Sequence, residues 1–210
     1  MTTVFAASLS SCKETDNEKE EFPNWQKTNE AYYDKKYAEV KQLVNGGAAD
    51  WKVLRSWSLD DKLATHSYDY VLANVLNAGT GSGCPLYTDS VKVHYSGRLL
   101  PSTSYAEGYI FDQSWQGEYN LSTMKPRTFA VNGVVKGFAT ALQNMHIGDR
   151  WQVYIPHQLA YGSSDTPGAA YSTLIFDITL VGYFRKTSTA AAPSKDGAAQ
   201  QQTAGYWVYE

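Results

Sequence analysis

The spacing of hydrophobic positions changes several times along this chain. From Asn24 to Asn45 they recur every three to four residues, at Trp25, Tyr32, Tyr33, Tyr37, Val40, Leu43 and Val44. That period predicts an amphipathic helix, capped by Asn24 and stopped by Asn45-Gly46-Gly47. A single helix must bury its stripe, either on its own domain or in a second role as a dimerising or substrate-gripping arm, and the pattern allows both. Trp51, Val53, Leu54, Trp57 and Leu59 follow as a strand or short connecting segment. From Tyr68 the period falls to two. Tyr68–Leu76 reads as a strand closed by the glycine-rich run 77–83, and Val91, Val93 and Tyr95 alternate with Lys92, His94 and Ser96. Short strands are expected at Ile110-Phe111-Asp112 and Arg127–Val131, then at Trp151–Ile155 and Leu174–Leu180. Between them, Phe138, Leu142 and Met145 share one face of a short helix, with Gly148 beyond its end. An antiparallel sheet with this helix packed on its inner face, an α+β arrangement, satisfies the whole pattern.

Composition narrows the partners. The chain has 210 residues, 43% of them hydrophobic, and a net charge of −3, so a sizeable core is expected. No basic block appears, which argues against nucleic acid. Sixteen tyrosines and six tryptophans fit a β-rich core with wide aromatic contacts; an exposed aromatic binding surface is the alternative. Cys12 and Cys84 define no disulfide framework, and His66, His94, His146 and His157 lack the spacing of metal ligands, so neither metal nor cofactor is expected. No run approaches the ~20 apolar residues that a spanning helix requires.

Covalent chemistry finds no support either. There is no nucleophile elbow, no phosphate loop with its lysine and no HExxH, and Asp60-Asp61 are too close in sequence to act as opposed carboxylates. Instead aromatics sit at the edges of apolar runs, in Val91–Gly97, Phe111-Asp112, Ala160-Tyr161-Gly162 and Thr173–Asp177, with Asp112 as the carboxylate at the site. That equipment suits a small apolar pocket with a few hydrogen-bonding groups.

Five segments carry a family resemblance: VHYSGRL (93–99), IFD (110–112), NGVVKGFATALQNMHIGDRW (132–151), AYG (160–162) and TLIFDITL (173–180). In this order they resemble the FKBP family of peptidyl-prolyl cis-trans isomerases, over about residues 68–184. The resemblance implies an α+β fold with a curved antiparallel sheet wrapped around one short helix, here preceded by an N-terminal helical extension, and a pocket between helix and sheet. It implies Tyr95, Phe111 and Phe176 as pocket walls with Phe129 beside them, and Val134 and Val135 at the helix entry, the Val135 N–H receiving a substrate carbonyl. It makes Phe138 the pocket floor, where the family commonly has tryptophan, Tyr161 a hydroxyl donor and Asp112 the rim carboxylate. Partners would be unfolded or partly folded chains with X-Pro bonds, together with macrolide-type ligands. Three features depart from the family. Arg127 stands where many members are apolar, leaving one wall open or charged. The loop after Tyr161 lacks an Ile-Pro-Pro element and is about two residues shorter, a gap Tyr171 would fill. The loop from Leu99 to Ile110 is longer than in minimal members.

The first residues carry a second, smaller resemblance. Leu9-Ser10-Ser11-Cys12 is similar to a bacterial lipobox, behind the apolar Val4–Leu9 and ahead of the charged Lys13–Glu21. No Lys or Arg precedes the apolar stretch, so the expectation includes Met1 as an internal start. It makes Cys12 a lipid-attachment site and places the chain in a bacterial cell envelope as an outer-membrane lipoprotein facing the periplasm or the exterior, held by its lipid alone. The chain then divides into a leader and tether (1–23), a helical extension with connecting segment (24–67), an isomerase-like domain (68–184) and a low-complexity tail (185–210) whose Thr187–Gln202 stretch reads as disordered. The closing Tyr206–Tyr209 either docks or carries no structural role. The expected function is prolyl isomerisation in the folding of extracytoplasmic proteins. The alternatives are a proline- or protein-binding module without turnover and a structural surface lipoprotein. A homodimer through the N-terminal helix is the further partner expectation.

Overall fold

The computed structural model describes residues 19–187 and 204–209. Cys12, the leader and most of the tail lie outside the described residues. Within them, helix α1 (Trp25–Asn45) is followed by strands β1 (Trp51–Arg55), β2 (Tyr70–Asn77), β3 (Ser90–Arg98), β4 (Ile110–Gln113) and β5 (Arg127–Ala130). Helix α2 (Lys136–Leu142), β6 (Arg150–Ile155), β7 (Leu174–Lys186) and β8 (Gly205–Val208) complete the order. All strands belong to one sheet in the order β1-β2-β6-β7-β3-β4, with β5 also on β3 and β8 also on β7, and every pairing is antiparallel. The alternation read from the sequence sets the faces. Val91, Val93 and Tyr95 of β3, Trp151 and Val153 of β6, and Phe176, Ile178 and Leu180 of β7 are buried with Phe138 and Leu142 of α2.

The edge of β3 decides where the fold opens. Ser90–Val93 pair with β5, whereas Ser96, Gly97 and Arg98 pair with β4, with a register shift between Gly97 and Arg98. Tyr95 falls between the two partners. Its backbone is satisfied by Ser114, whose amide N donates to the Tyr95 carbonyl at 2.8 Å and whose Oγ accepts from the Tyr95 N–H at 2.9 Å. A strand that changes neighbour in mid-length leaves a gap on its inner face, and the Tyr95 ring stands at that gap.

Helix α2 ends at Leu142 rather than Met145 because the next side chains compete for its last carbonyls. Gln143 Nε2 donates to Ala139 O at 3.1 Å and Asn144 Nδ2 to Thr140 O at 2.8 Å. Met145 is fully buried all the same, just beyond the helix. At the other end of the chain, Asn24 takes the left-handed conformation (φ 48°, ψ 34°) and makes no side-chain cap, contrary to the expectation from its residue type. Phe22, edge-on to Trp25 with ring centres 4.7 Å apart, packs at the start of α1.

The stripe of α1 is covered by the chain's own domain. Trp25, Asn29, Tyr33 and Val40 are buried, and Leu43, expected in the stripe, is exposed. Trp25 Nε1 donates to Ser172 Oγ at 2.7 Å and Tyr33 OH to Tyr70 O at 2.7 Å. Asn29 Nδ2 donates to Trp25 O at 2.8 Å, and Asn29 Oδ1 accepts from Thr173 N–H at 2.7 Å. Burying Trp25, Tyr33 and Val40 contributes about 1.5–3 kcal/mol each in apolar transfer. A homodimer through α1 would have to use its outer face. The segment 24–67 is also joined to the domain through β1, which pairs with β2 from Trp51↔Asn74 to Arg55↔Tyr70. The long loop after Leu99 holds the entry to α1, since Ser104 N–H donates to Glu21 Oε1 at 2.9 Å and Thr103 Oγ1 to Glu20 O at 2.8 Å.

The last residues dock. β8 pairs with the end of β7 from Tyr183↔Val208 to Lys186↔Gly205, and the Lys92 Nζ sits 4.4 Å from the Trp207 ring centre and 5.0 Å from that of Tyr209.

Candidate functional site

Between α2 and the concave face of the sheet lies a cavity of about 230 Å³. Its walls are Tyr95, Phe111, Phe129, Phe138 and Phe176, with Val134, Val135 and Gly133 at the entry to α2 and with Asp112 and Tyr161 at its edge. Every residue named from the resemblance as a pocket residue lines this one hollow. They come from β3, β4, β5, β7, α2 and the turns before and after, so only the folded sheet assembles them.

The rings interlock edge to face. Phe138 meets Phe176 at 5.0 Å between ring centres and 81°, Phe111 meets Phe176 at 5.5 Å and 90°, and Tyr95 meets Phe129 at 5.4 Å and 68°. Such pairs contribute about 0.5–1.5 kcal/mol each beyond their burial and hold the rings in fixed orientations. Gly97 makes the arrangement possible. A Cβ there would lie 2.4 Å from Phe176 Cε1 and 2.6 Å from Phe111 Cζ. Its register partners are Asp112 on β4 and Phe176 on β7, so both rings close over its bare Cα.

The polar groups sit at the rim. Tyr95 OH donates to Asp112 Oδ2 at 2.5 Å, and Gln113 N–H donates to Asp112 Oδ1 at 2.9 Å. Arg127 Nη1 lies 3.3 Å from Asp112 Oδ1 and 3.2 Å from Tyr95 OH. Burial raises the Tyr95 pKa, and the hydrogen bond to Asp112 and its charge add to the rise. Burial also raises that of Tyr161, with the Asp112 charge second. Both rings therefore stay neutral phenols, able to donate, at physiological pH. Tyr161 is 40% exposed and stands at the open side. Val135 occupies the position before α2 (φ −59°, ψ 150°), and its N–H has no acceptor within the helix.

Two neighbouring residues fall elsewhere. Tyr171, expected to fill the shortened loop, has φ 59° and packs edge-on against His157 at 5.3 Å between ring centres, away from the cavity. Asp177 follows Phe176 but points to the other face of β7, where Arg150 holds it through Nε at 3.0 Å and Nη2 at 2.7 Å. Gly133, Gly97, Ser114 and the Arg127 bridge had no assigned role in the sequence reading. A glycine inside a strand pattern, as at Gly97, is the one signal that pointed to a close approach.

The arrangement offers an aromatic slot with the Tyr161 phenol at its edge, Val135 at the entry to α2, and a carboxylate held by three donors. It offers no nucleophile or base poised for bond cleavage.

Comparison with known proteins finds relatives over the part of the chain that builds this cavity. The family model described as FKBP-type peptidyl-prolyl cis-trans isomerase matches residues 84–181. The macrophage infectivity potentiator of Trypanosoma cruzi is 41% identical over 105 residues, 49% of this chain and 47% of that protein. The outer membrane protein MIP of Legionella longbeachae is 37% identical over 109 residues, 51% of this chain and 41% of that protein. The FKBP-type peptidyl-prolyl cis-trans isomerase FkpA of Escherichia coli (strain K12) is 30% identical over 164 residues, 77% of this chain and 56% of that protein. The chain thus spans about half the length of these curated relatives.

Proposed function

We propose, from the match of residues 84–181 to the FKBP-type peptidyl-prolyl cis-trans isomerase family, that this chain belongs to that family and that its cavity accelerates the cis-trans rotation of X-Pro bonds in unfolded or partly folded protein chains. The observation that carries the reading is the convergence of Tyr95, Phe111, Asp112, Val135, Phe138, Tyr161 and Phe176 on one apolar hollow. The alternative readings of the sequence, a binding module without turnover or a structural scaffold, are separated from it by rate measurements.

The rotation needs no bond cleavage. Its barrier is near ~20 kcal/mol because twisting the amide forfeits resonance. The planar amide has the more polarised carbonyl and is the better hydrated. A water-poor aromatic slot stabilises the planar form less than water does, and penalises the twisted form less, which is differential binding of the transition state. The prolyl ring enters between Phe138, Phe176 and Tyr95. The Val135 N–H receives the carbonyl of the bound chain, and the Tyr161 hydroxyl holds the chain beyond the proline, so rotation proceeds about one bond with the rest fixed. Asp112, saturated by its donors, keeps the Tyr95 ring in place. A gain of ~5 kcal/mol would correspond to a rate rise of several thousand-fold. Macrolide-type ligands would enter the same slot and compete with prolyl peptides.

The variants Asp112→Val and Tyr161→Phe test these roles. Asp112→Val frees the Tyr95 hydroxyl and the Arg127 guanidinium, and Tyr161→Phe removes one donor. Each is expected to lower kcat/KM on an Ala-Leu-Pro-Phe peptide about tenfold, which corresponds to about 1.4 kcal/mol, with the fold intact by circular dichroism. Wild-type rates in both folded variants would refute the site assignment.

For location, the reading is the bacterial cell envelope, with Cys12 carrying lipid at the start of a polar tether in an outer-membrane lipoprotein facing the periplasm or the exterior. Support comes from Leu9-Ser10-Ser11-Cys12 and from the outer membrane protein among its relatives. No helix among the described residues is long and apolar enough to cross a membrane. Mass spectrometry of native material that found residues 1–11 still attached to an unmodified Cys12 would end the lipid assignment.

A further inference from the structure

The cavity rim carries a cation that the rotation itself does not require. Arg127 opens β5 opposite Val93 of β3, and its guanidinium lies over the Tyr95 ring, Cζ 5.8 Å from the ring centre. Its contacts with the rim are made through Nη1, to Asp112 Oδ1 at 3.3 Å and Tyr95 OH at 3.2 Å. A guanidinium has five N–H donors in a flat fork, so Nε and Nη2 make no bond to either rim partner. The Arg127 side chain is 52% exposed and that of Asp112 is 47% exposed, which places this free edge of the fork in solvent at the mouth of the slot. Asp112 is already served on both oxygens, by Tyr95 OH on Oδ2 and by Gln113 N–H and Arg127 on Oδ1. An incoming peptide therefore meets a carboxylate with its donors already in place, paired to a guanidinium that still has N–H donors to spare.

From this we infer that Arg127 is a specificity-determining residue, biasing the cavity toward prolyl peptides that carry Asp or Glu next to the proline and against those that carry Lys. The inference rests on the isomerase reading for the identity of the ligand. The chemistry is that of a guanidinium fork with a carboxylate, which pairs in a flat, two-bond geometry and is not reproduced by an ammonium. A lysine on the peptide meets like charge at the same place. Because the rim is half-exposed, the preference is modest and sensitive to salt.

The test uses the full chain and Ala-X-Pro-Phe and Ala-Ala-Pro-X peptides with X = Glu, Ala or Lys. Both the dissociation constant, by NMR titration, and the exchange rate are read. In wild type at low salt the Glu peptide of at least one series is expected to bind at least threefold more tightly than the Lys peptide. The ratio falls toward one in Arg127→Gln and in 0.5 M NaCl, and Arg127→Lys restores part of it. Equal ratios in wild type and a folded Arg127→Gln overturn the inference. If exchange is accelerated alike for all X, the isomerase reading stands and this inference falls. If affinity discriminates as expected but no peptide exchanges faster, the inference stands and the isomerase reading falls.

Discussion

Replacing Gly97 by alanine is expected to lower isomerisation more than tenfold and to destabilise the fold by about 1–3 kcal/mol, the usual range for overpacking a filled interior. The added methyl would lie 2.4 Å from Phe176 Cε1 and 2.6 Å from Phe111 Cζ, so both rings must move. Phe176 has nowhere to retreat, being 5% exposed and braced by Phe138 at 5.0 Å between ring centres. Phe111 is partly exposed and would swing outward, opening the wall and admitting water. The effect on rate then exceeds the effect on stability, because the slot depends on dryness and shape whereas the fold depends on the wider core. Thermal unfolding and exchange kinetics on the same sample separate the two. A folded Gly97→Ala chain with wild-type kcat/KM would mean that Phe111 and Phe176 are core rings with no part in the site.

The second large effect lies at the other end of the domain. Asn29→Ala is expected to cost about 1–3 kcal/mol, because it strands the Thr173 N–H that Asn29 Oδ1 now accepts at 2.7 Å, in a place where Asn29 is fully buried. Loss of the 2.8 Å bond from Asn29 Nδ2 to Trp25 O loosens the start of α1 in the same step. For a chain of this size each kcal/mol shifts Tm by about 2–4 °C. Unchanged Tm would show that α1 does not depend on this anchor. Turnover on short peptides is expected to survive, since the cavity lies against α2, while the docking of Trp25 on Ser172 weakens and its fluorescence changes.

These two positions also show what sequence can and cannot reveal. The alternation of β3, β6 and β7, the face of α2 and the run of α1 were visible because burial imposes a period on apolar residues, and Tyr33 and Val40 are where that period put them. Asn29 was invisible, since a polar residue on a buried face announces nothing until its partner 144 positions away is known. The aromatic residues that line the cavity were legible from the motifs that carry the resemblance. Arg127 was visible only as a departure from them, because its meaning depends on β3 changing partner at Tyr95 and so bringing residues 95, 112 and 127 to one rim. Four residues of β8, set behind an Ala- and Ser-rich stretch, were too short a pattern to declare a strand. Asn24 looked like a cap and makes none, because its backbone adopts φ 48° and Phe22 packs at the helix start instead.

The most direct measurement is two-dimensional exchange NMR on an Ala-Leu-Pro-Phe peptide with the full chain added in small amounts. The account predicts cis and trans lines that exchange at a rate proportional to protein concentration, with shifts in the protein centred on Val135 and Tyr161. Shifts at those two residues with exchange no faster than in buffer would contradict it and leave a proline-binding module in its place.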